Sequence, residues 1–382
     1  MKSTAVIVDA VRTPIGRRNG SLSGVHPVDL TAHVLAAITA RNGLDPAQVD
    51  DVVWGCVTQI GAQSSNVGRL GALAAGWPES VPGTTVDRAC GSSQQALHFA
   101  AATVAAGHQD IVIAGGVESM SMVPIGSARS VGEPYGPRVR ARYDRDTFSQ
   151  GEGAETIARR WNLSRTALDE LSLESHARAA RATDAGAFAD QVIEVRLPEG
   201  ELAVDEGIRR DTSLDKLAGL KPAFADDGVV TAGNASQISD GAGALLIMTQ
   251  ERAEQLGLRP LAAFRHGVVV GDDPVTMLTA PIPATRKLLA RSGLGIGDVG
   301  AFEVNEAFAS VVAAWQVETG ADPERVNPNG GAIAVGHPLG GSGAILMTRL
   351  VHHLRDQNLR YGLQTMCEAG GMANATLVEN LS

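Results

Sequence analysis

Ser92-Ser-Gln-Gln-Ala-Leu-His-Phe-Ala-Ala-Ala-Thr-Val-Ala-Ala-Gly-His-Gln-Asp-Ile-Val-Ile-Ala-Gly-Gly116 sets the reading of the chain. An alanine-rich helical stretch over 92–106 is ended by Gly107 and followed by an apolar run, Ile111–Ala114, that reads as a strand. Upstream the same rhythm appears. Ala5–Val8 reads as a first strand, Pro27–Arg41 as a helix and Asp51–Trp54 as a strand. Alternation of this kind predicts an α/β protein with mostly parallel sheets covered by helices. Downstream, a helix over 341–356 and a strand over Gly362–Met366 lead into Ala369-Gly370-Gly371. Both halves then run loop, helix, strand, Ala-Gly-Gly, which favours two related α/β halves over a single long sheet.

The 382 residues suffice for two ordinary domains. A formal charge of −10 argues against a nucleic-acid binder, which would carry a basic face. With 44 % hydrophobic residues and a mean hydropathy of +0.02, the chain has material for a large core. Its 44 glycines exceed average usage of roughly 7 % and predict many tight turns and close backbone approaches. Cys56, Cys90 and Cys367 are too few for a disulfide framework and lack metal-ligand spacing. The short apolar run at Met1–Asp9 meets a charge at once and reads as a strand, not a signal peptide. No stretch reaches about 18 apolar residues, so no membrane span is expected, and the chain reads as a reduced, cytoplasmic enzyme.

Periodicity breaks after Met120. Residues 121–150 hold Pro124, Pro134, Pro137 and five arginines: Arg129, Arg138, Arg140, Arg142 and Arg145. A helical stretch, Glu152–Ala182, and a mixed segment follow. Residues 119–236 therefore read as an excursion from the sheet, a lid or recognition region. It separates a first half, 1–118 completed by 237–255, from a second half, 256–382.

Four segments carry residues suited to chemistry. Cys90 lies where a loop becomes a helix, with Ser92 or Ser93 as a candidate cap. The positive end of the helix dipole is expected to lower its thiol pKa. The segment alone does not choose between a nucleophile and a small core thiol. His337 is followed by Pro338, which restricts its backbone, and six glycines among residues 328–343 strip side chains from its surroundings. That setting suits a general base; no phosphate-loop signature with its lysine is present. Cys367 ends a strand at a glycine turn, either as an acid/base thiol or as a structural one. Asn305 follows another strand, either to hold a water or substrate oxygen or to cap a helix.

Taken together, Cys90-Gly-Ser-Ser, Asn305-Glu-Ala-Phe, Gly336-His-Pro and Cys367-x-x-Gly-Gly resemble the thiolases in order and spacing. The likeness extends to Asp9–Gly16 and to Ala232-Gly-Asn-Ala-Ser236, and so spans nearly the whole chain. It implies the thiolase fold, in which two similar five-layered αβαβα halves carry an inserted loop domain that covers coenzyme A. It implies Cys90 as acyl-carrying nucleophile, His337 as its base and Cys367 as the group that exchanges a proton with the α-carbon of the acetyl unit. Asn305 would hold a water that forms one oxyanion hole with His337, and the backbone N–H groups of Cys90 and Ala369 would form a second. Arg209, Phe224, Ser236 and Phe308 would contact coenzyme A, the cosubstrate, and Arg210, Lys216 and Lys221 lie close in sequence to Arg209. No metal or permanently bound cofactor is implied, and a homodimer or homotetramer is.

Three departures from the family pattern bear on function, one being the arginine-rich loop that holds Arg129 to Arg145, which reads as a solvated face in preference to a contact with the coenzyme A phosphates. Ala369 replaces a usual glycine, where a positive φ would be strained. Ser149-Gln150-Gly151 stands where acetoacetyl-forming members carry His-Met-Gly, so the residues that narrow the acyl pocket to acetyl are absent. The expectation is thiolytic cleavage of a longer or bulkier 3-ketoacyl-CoA in fatty acid or lipid degradation. Alternatives are a biosynthetic acetoacetyl-CoA thiolase, a β-ketoacyl synthase-like condensing enzyme, a Cys-His-Asn hydrolase and an inactive CoA- or lipid-binding relative. The synthase would typically carry a second histidine in place of Cys367.

Overall fold

The computed structural model describes residues 4–382; Met1, Lys2 and Ser3, part of the expected first half, lie outside them. The strands are β1 (Ala5–Arg12), β2 (Gly16–Arg17), β3 (Asp51–Gly55), β4 (Gly83–Val86), β5 (Ile111–Ser119), β6 (Val195–Leu197), β7 (Gly200–Leu202), β8 (Ser239–Thr249), β9 (Ala262–Gly271), β10 (Ala301–Val304), β11 (Tyr361–Glu368) and β12 (Met372–Asn380). The helices are α1 (Pro27–Arg41), α2 (Val67–Ala74), α3 (Ser92–Ala105), α4 (Pro137–Tyr143), α5 (Gln150–Arg160), α6 (Arg165–Asp184), α7 (Leu214–Ala218), α8 (Gln250–Gln255), α9 (Pro281–Ser292), α10 (Ala309–Thr319), α11 (Ala332–Val335) and α12 (Ser342–Asp356).

The duplication is visible in strand order. One half runs β4-β3-β5-β8-β1 and the other β10-β11-β12-β9. A parallel bridge from Phe302 to Val326 in the second half takes the place that β4 holds in the first. The halves meet edge to edge through two residue pairs, Val6 with Ala263 and Ile7 with Ala262, which makes one ten-stranded sheet of two repeats. The expected predominance of parallel pairing is overturned. Among the described residues, the strand pairs β3–β4, β3–β5 and β10–β11 alone run parallel, apart from isolated bridges. The last strand of each half returns antiparallel, after the long excursion in the first and after a tight turn at Gly370 and Gly371, both with positive φ, in the second.

The Ala-Gly-Gly cue for the repeat also proves misaligned. Ala114-Gly115-Gly116 lies inside buried β5, where the glycines let the Trp54 ring and the Gly340 carbonyl come close. Ala369-Gly370-Gly371 is the turn beyond β11. The repeat itself rests on the helices α3 and α12 and the strands that follow them.

Five layers result. In the middle, Leu97 and Val104 of α3 and Met347, Leu350 and Val351 of α12 share one core with Val112, Leu245, Ala301 and Val378 of both sheet halves. Outside, Leu30, Val34 and Ile38 of α1 pack on Val52, Trp54 and Leu246. Ile282 and Leu288 of α9 and Trp315 of α10 pack on Phe302, Leu363 and Leu377. Each large apolar side chain so buried contributes about 1.5–3 kcal/mol. The excursion carries α4 to α7 and the β6–β7 hairpin. The single helix expected over Glu152–Ala182 is two, because the chain turns at Asn162, with φ of 53°, and Ser164 accepts from the Ala167 N–H to cap α6.

Candidate active site

The layers bring four loop ends to one place. Cys90 shares an apolar cluster with Met120, Leu339 and Met366, so the nucleophile candidate touches the neighbours of both His337 and Cys367. Cys367 lies in a second cluster with Ala307 and Phe308, just beyond Asn305. All four candidates are at most 3 % exposed.

Cys90 follows Ala89, whose φ of 46° makes a sharp elbow into α3. Such a backbone costs a residue bearing a Cβ roughly 1–2 kcal/mol, and here neighbours enforce it. Asp87 Oδ1 accepts from the Ala89 N–H at 2.7 Å. Ser92 Oγ donates to the Ala89 carbonyl at 2.6 Å and accepts from the Arg88 N–H at 2.9 Å. The serine cap expected for α3 is absent: Gly91 is the N-cap residue and makes no side-chain bond, while Ser92 turns back onto the elbow. Ser93 Oγ instead accepts from the Ala344 N–H of α12 at 2.9 Å.

The expected lowering of the Cys90 pKa is also overturned. Burial, with the Glu368 carboxyl adding to it, pushes the thiol up to about 12, and no cation opposes this. The Glu368 carboxyl lies against Gly91, where an added Cβ would require its Oε1 to shift. Burial lifts Glu368 itself to about 8. Cys367 is likewise raised by burial and by the nearby Cys90.

His337 is held in a defined tautomer. Its Nδ1 lies 2.6 Å from Ser342 Oγ, whose own proton goes to the Pro338 carbonyl at 2.8 Å. The hydroxyl can therefore only accept from the ring, which puts the ring proton on Nδ1 and leaves Nε2 unprotonated. Burial pushes the imidazole down to about 4, so the ring is neutral at physiological pH. Asn305 Nδ2 approaches Nε2 at 3.4 Å, and Asn305 Oδ1 is buried with no partner among the described residues. Asn305 is no helix cap; Phe308 holds that place in α10.

The glycines around His337 also permit close backbone packing. Gly340 passes against the strand ends of the first half, where a Cβ would meet Cys56 Cα at 2.6 Å and the Val117 carbonyl at 2.7 Å. Its N–H donates to Glu118 Oε2 at 2.8 Å. Glu118 also accepts from the Val57 and Thr58 N–H groups and from Gln63 Nε2, and so ties the His337 loop to the first half. Sequence reasoning missed Ser342, Glu118 and Glu368. A hydroxyl one turn after His-Pro was a usable signal for Ser342; the other two are visible only through packing.

Ala369 is half-buried, and its φ is not positive; that backbone falls on Gly370 and Gly371, so the expected strain is absent. Ser236 donates its N–H to the Ala307 carbonyl at 2.9 Å, and Ala235 bridges Phe308, which joins this segment to the Asn305 motif. Phe224, 45 % exposed, meets Phe308 edge to face at 6.0 Å. Arg209 is exposed. Arg210 and Lys216 are paired with Asp184 and Asp211, whereas Arg209 and Lys221 have no acidic partner among the described residues. Among those residues no group of three or more His, Cys, Asp or Glu side chains is placed to hold a metal ion, and no helix is long and apolar enough to cross a membrane.

Fold and site together define an α/β protein whose two halves enclose a buried cluster of two thiols, an imidazole and an amide. The N-terminal thiolase domain matches residues 5–251 and the C-terminal thiolase domain residues 258–380, and the chain belongs to the thiolase family. It is 51 % identical to a steroid 3-ketoacyl-CoA thiolase of Mycobacterium tuberculosis, over 99 % of this chain and 94 % of that one. It is 44 % identical to a 3-ketoacyl-CoA thiolase of Pectobacterium carotovorum, over 98 % and 99 %. The crystal structure of the Bacillus anthracis acetyl-CoA acetyltransferase superposes with a TM-score of 0.92 at 37 % identity, covering 100 % of this chain and 99 % of that one.

Proposed function

We propose that the enzyme cleaves a 3-ketoacyl-CoA with coenzyme A, yielding acetyl-CoA and a shortened acyl-CoA through an acyl-Cys90 intermediate. The observation that carries this is a neutral His337 with Nε2 free of its proton, set in one buried site with two thiols, Cys90 and Cys367. His337 takes the Cys90 proton as sulfur attacks the 3-keto carbon. The C2–C3 bond then breaks, its electron pair passes into the thioester enolate, and Cys367 protonates C2 to release acetyl-CoA. Coenzyme A next gives its thiol proton to the Cys367 thiolate and attacks the acyl-Cys90 thioester; the bond from the acyl carbon to Cys90 sulfur breaks, and Cys90 recovers its proton from His337. Covalent capture divides the reaction into two accessible steps.

The enolate and tetrahedral oxygens need donors. The buried, unpartnered Asn305 Oδ1 supports a water held between Asn305 and the substrate oxygen beside His337. The unstrained Ala369 backbone supports its N–H acting with that of Cys90 in the second hole. Arg209, Phe224, Ser236 and Phe308 form the coenzyme A side, and the stitching of Ser236 to Ala307 is consistent with a shared tunnel. The strand order, in which β8 joins β1, β3, β4 and β5, supports a division at residues 118, 236 and 255. The exposed edge β4, paired only with β3, supports a homo-oligomer, and three free cysteines suit the cytoplasm.

The longer or bulkier acyl group rests on Ser149-Gln150-Gly151. Ser149 Oγ is spent on capping α5 through the Glu152 N–H at 3.3 Å. Thiolysis across a panel of chain lengths, beside Cys90→Ala, tests the whole reading. Acetyl-CoA release that vanishes in the variant, with an acyl adduct on wild-type Cys90 by intact mass, is expected. Absence of both overturns it, and a strong acetoacetyl-CoA preference overturns the chain-length part alone.

A further inference from the structure

The arginines of 129–145 have no part in the chemistry above. We propose that they form the distal end of the acyl site and that the preferred substrate is a 3-ketoacyl-CoA whose long or bulky apolar acyl group ends in a carboxylate. This deepens the thiolysis reading and rests on it.

Two aromatic steps connect these arginines to the reacting end. Cys367, Phe308, Met277, Leu278 and Phe148 belong to one apolar cluster, against which Tyr135 and Tyr143 pack. Both tyrosines meet Phe148 edge to face, at 5.2 and 5.5 Å. Arg129 stacks on Tyr135 at 5.6 Å and donates to its hydroxyl at 3.3 Å, and Arg142 stacks on Tyr143 at 5.3 Å. A continuous run of packed apolar side chains thus connects the Cys367 thiol to two tyrosines that carry exposed arginines.

The charge on these arginines is not spent internally. Arg145 pairs with Glu152 and Arg140 with Asp146. Arg129, Arg138 and Arg142 have no carboxylate partner among the described residues. Five arginines stand against three acids, Glu133, Asp144 and Asp146, over residues 129–146 of a chain whose formal charge is −10. A hydrocarbon tail gains nothing from such charges, whereas a carboxylate gains charge-assisted, geometrically matched hydrogen bonds from guanidinium.

The test compares 3-ketododecanoyl-CoA with its ω-carboxylated counterpart, 3-ketododecanedioyl-CoA, in thiolysis by the full-length enzyme. The carboxylated substrate is expected to show about tenfold higher kcat/KM, falling as salt screens the exposed charges. Arg129→Gln combined with Arg142→Gln should lower that ratio about tenfold, while Arg252→Gln, on α8, leaves it unchanged. Equal kcat/KM for the two substrates overturns the proposal. A double variant that raises the KM of coenzyme A and of both substrates alike also overturns it and assigns the arginines to the phosphates. Cleavage of neither substrate, with no adduct on Cys90, overturns the thiolase reading and this inference with it.

Discussion

Helices α3 and α12 are counterparts in the two halves, and each begins with a serine whose hydroxyl turns back onto the preceding loop. Ser92 closes the elbow that carries Cys90, bonding backbone on both sides. Ser342 bonds one backbone carbonyl and one imidazole nitrogen, and so sets which nitrogen of His337 holds the proton. One duplicated device therefore shapes a main chain in the first half and a protonation state in the second. The difference lies in the preceding loop. The first supplies a strained Ala89 that needs holding, and the second a histidine whose ring can reach the hydroxyl.

The comparison can be broken by experiment. His337→Ala removes the base while Cys90 stays protonated, and kcat should fall about 10^2–10^4-fold with the acyl adduct correspondingly slow to form. A loss below tenfold would remove His337 from the role. Because the Cys90 thiol sits near 12 and the imidazole near 4, the thiolate fraction grows through the whole neutral range. Alkylation of Cys90 by iodoacetamide should rise roughly tenfold per pH unit from about pH 7 to 10. A plateau in that window would restore the low-pKa thiol that the helix dipole suggests.

Ser342→Ala frees the imidazole tautomer, and the loss of a buried hydrogen bond predicts a kcat lower by roughly tenfold to hundredfold. KM should move less, and Ser342→Thr should recover part of the loss. Ser92→Ala should act mainly on stability, by about 1–2 kcal/mol in denaturant unfolding, with kcat within tenfold. If Ser92→Ala lowers kcat more than Ser342→Ala does, the division of labour drawn between the two helix starts is wrong.

Much of the candidate site was legible because its residues sit in short segments with distinctive neighbours. Cys90, His337, Cys367 and Asn305 all emerge from strand or helix ends that local pattern marks. Electrostatics was legible least. A thiol at a helix start reads as acidified, yet burial and the Glu368 carboxyl turn the shift the other way, and Glu368 is remote from Cys90 in sequence. The repeat was right for a partly wrong reason, since two Ala-Gly-Gly segments of equal spelling occupy a strand interior and a turn.

Composition and order of motifs by themselves determined an acidic, core-rich, duplicated α/β chain of the thiolase family. Those properties follow from local periodicity and from which side chains the segments hold. Tertiary structure alone decided the antiparallel returns of the last strands and the burial that holds Cys90 and His337 each in its neutral form. It also decided the tautomer set by Ser342 and the clamp of Glu118 on Gly340. Each of these depends on distance and desolvation between segments far apart in the chain, and a linear pattern carries neither quantity.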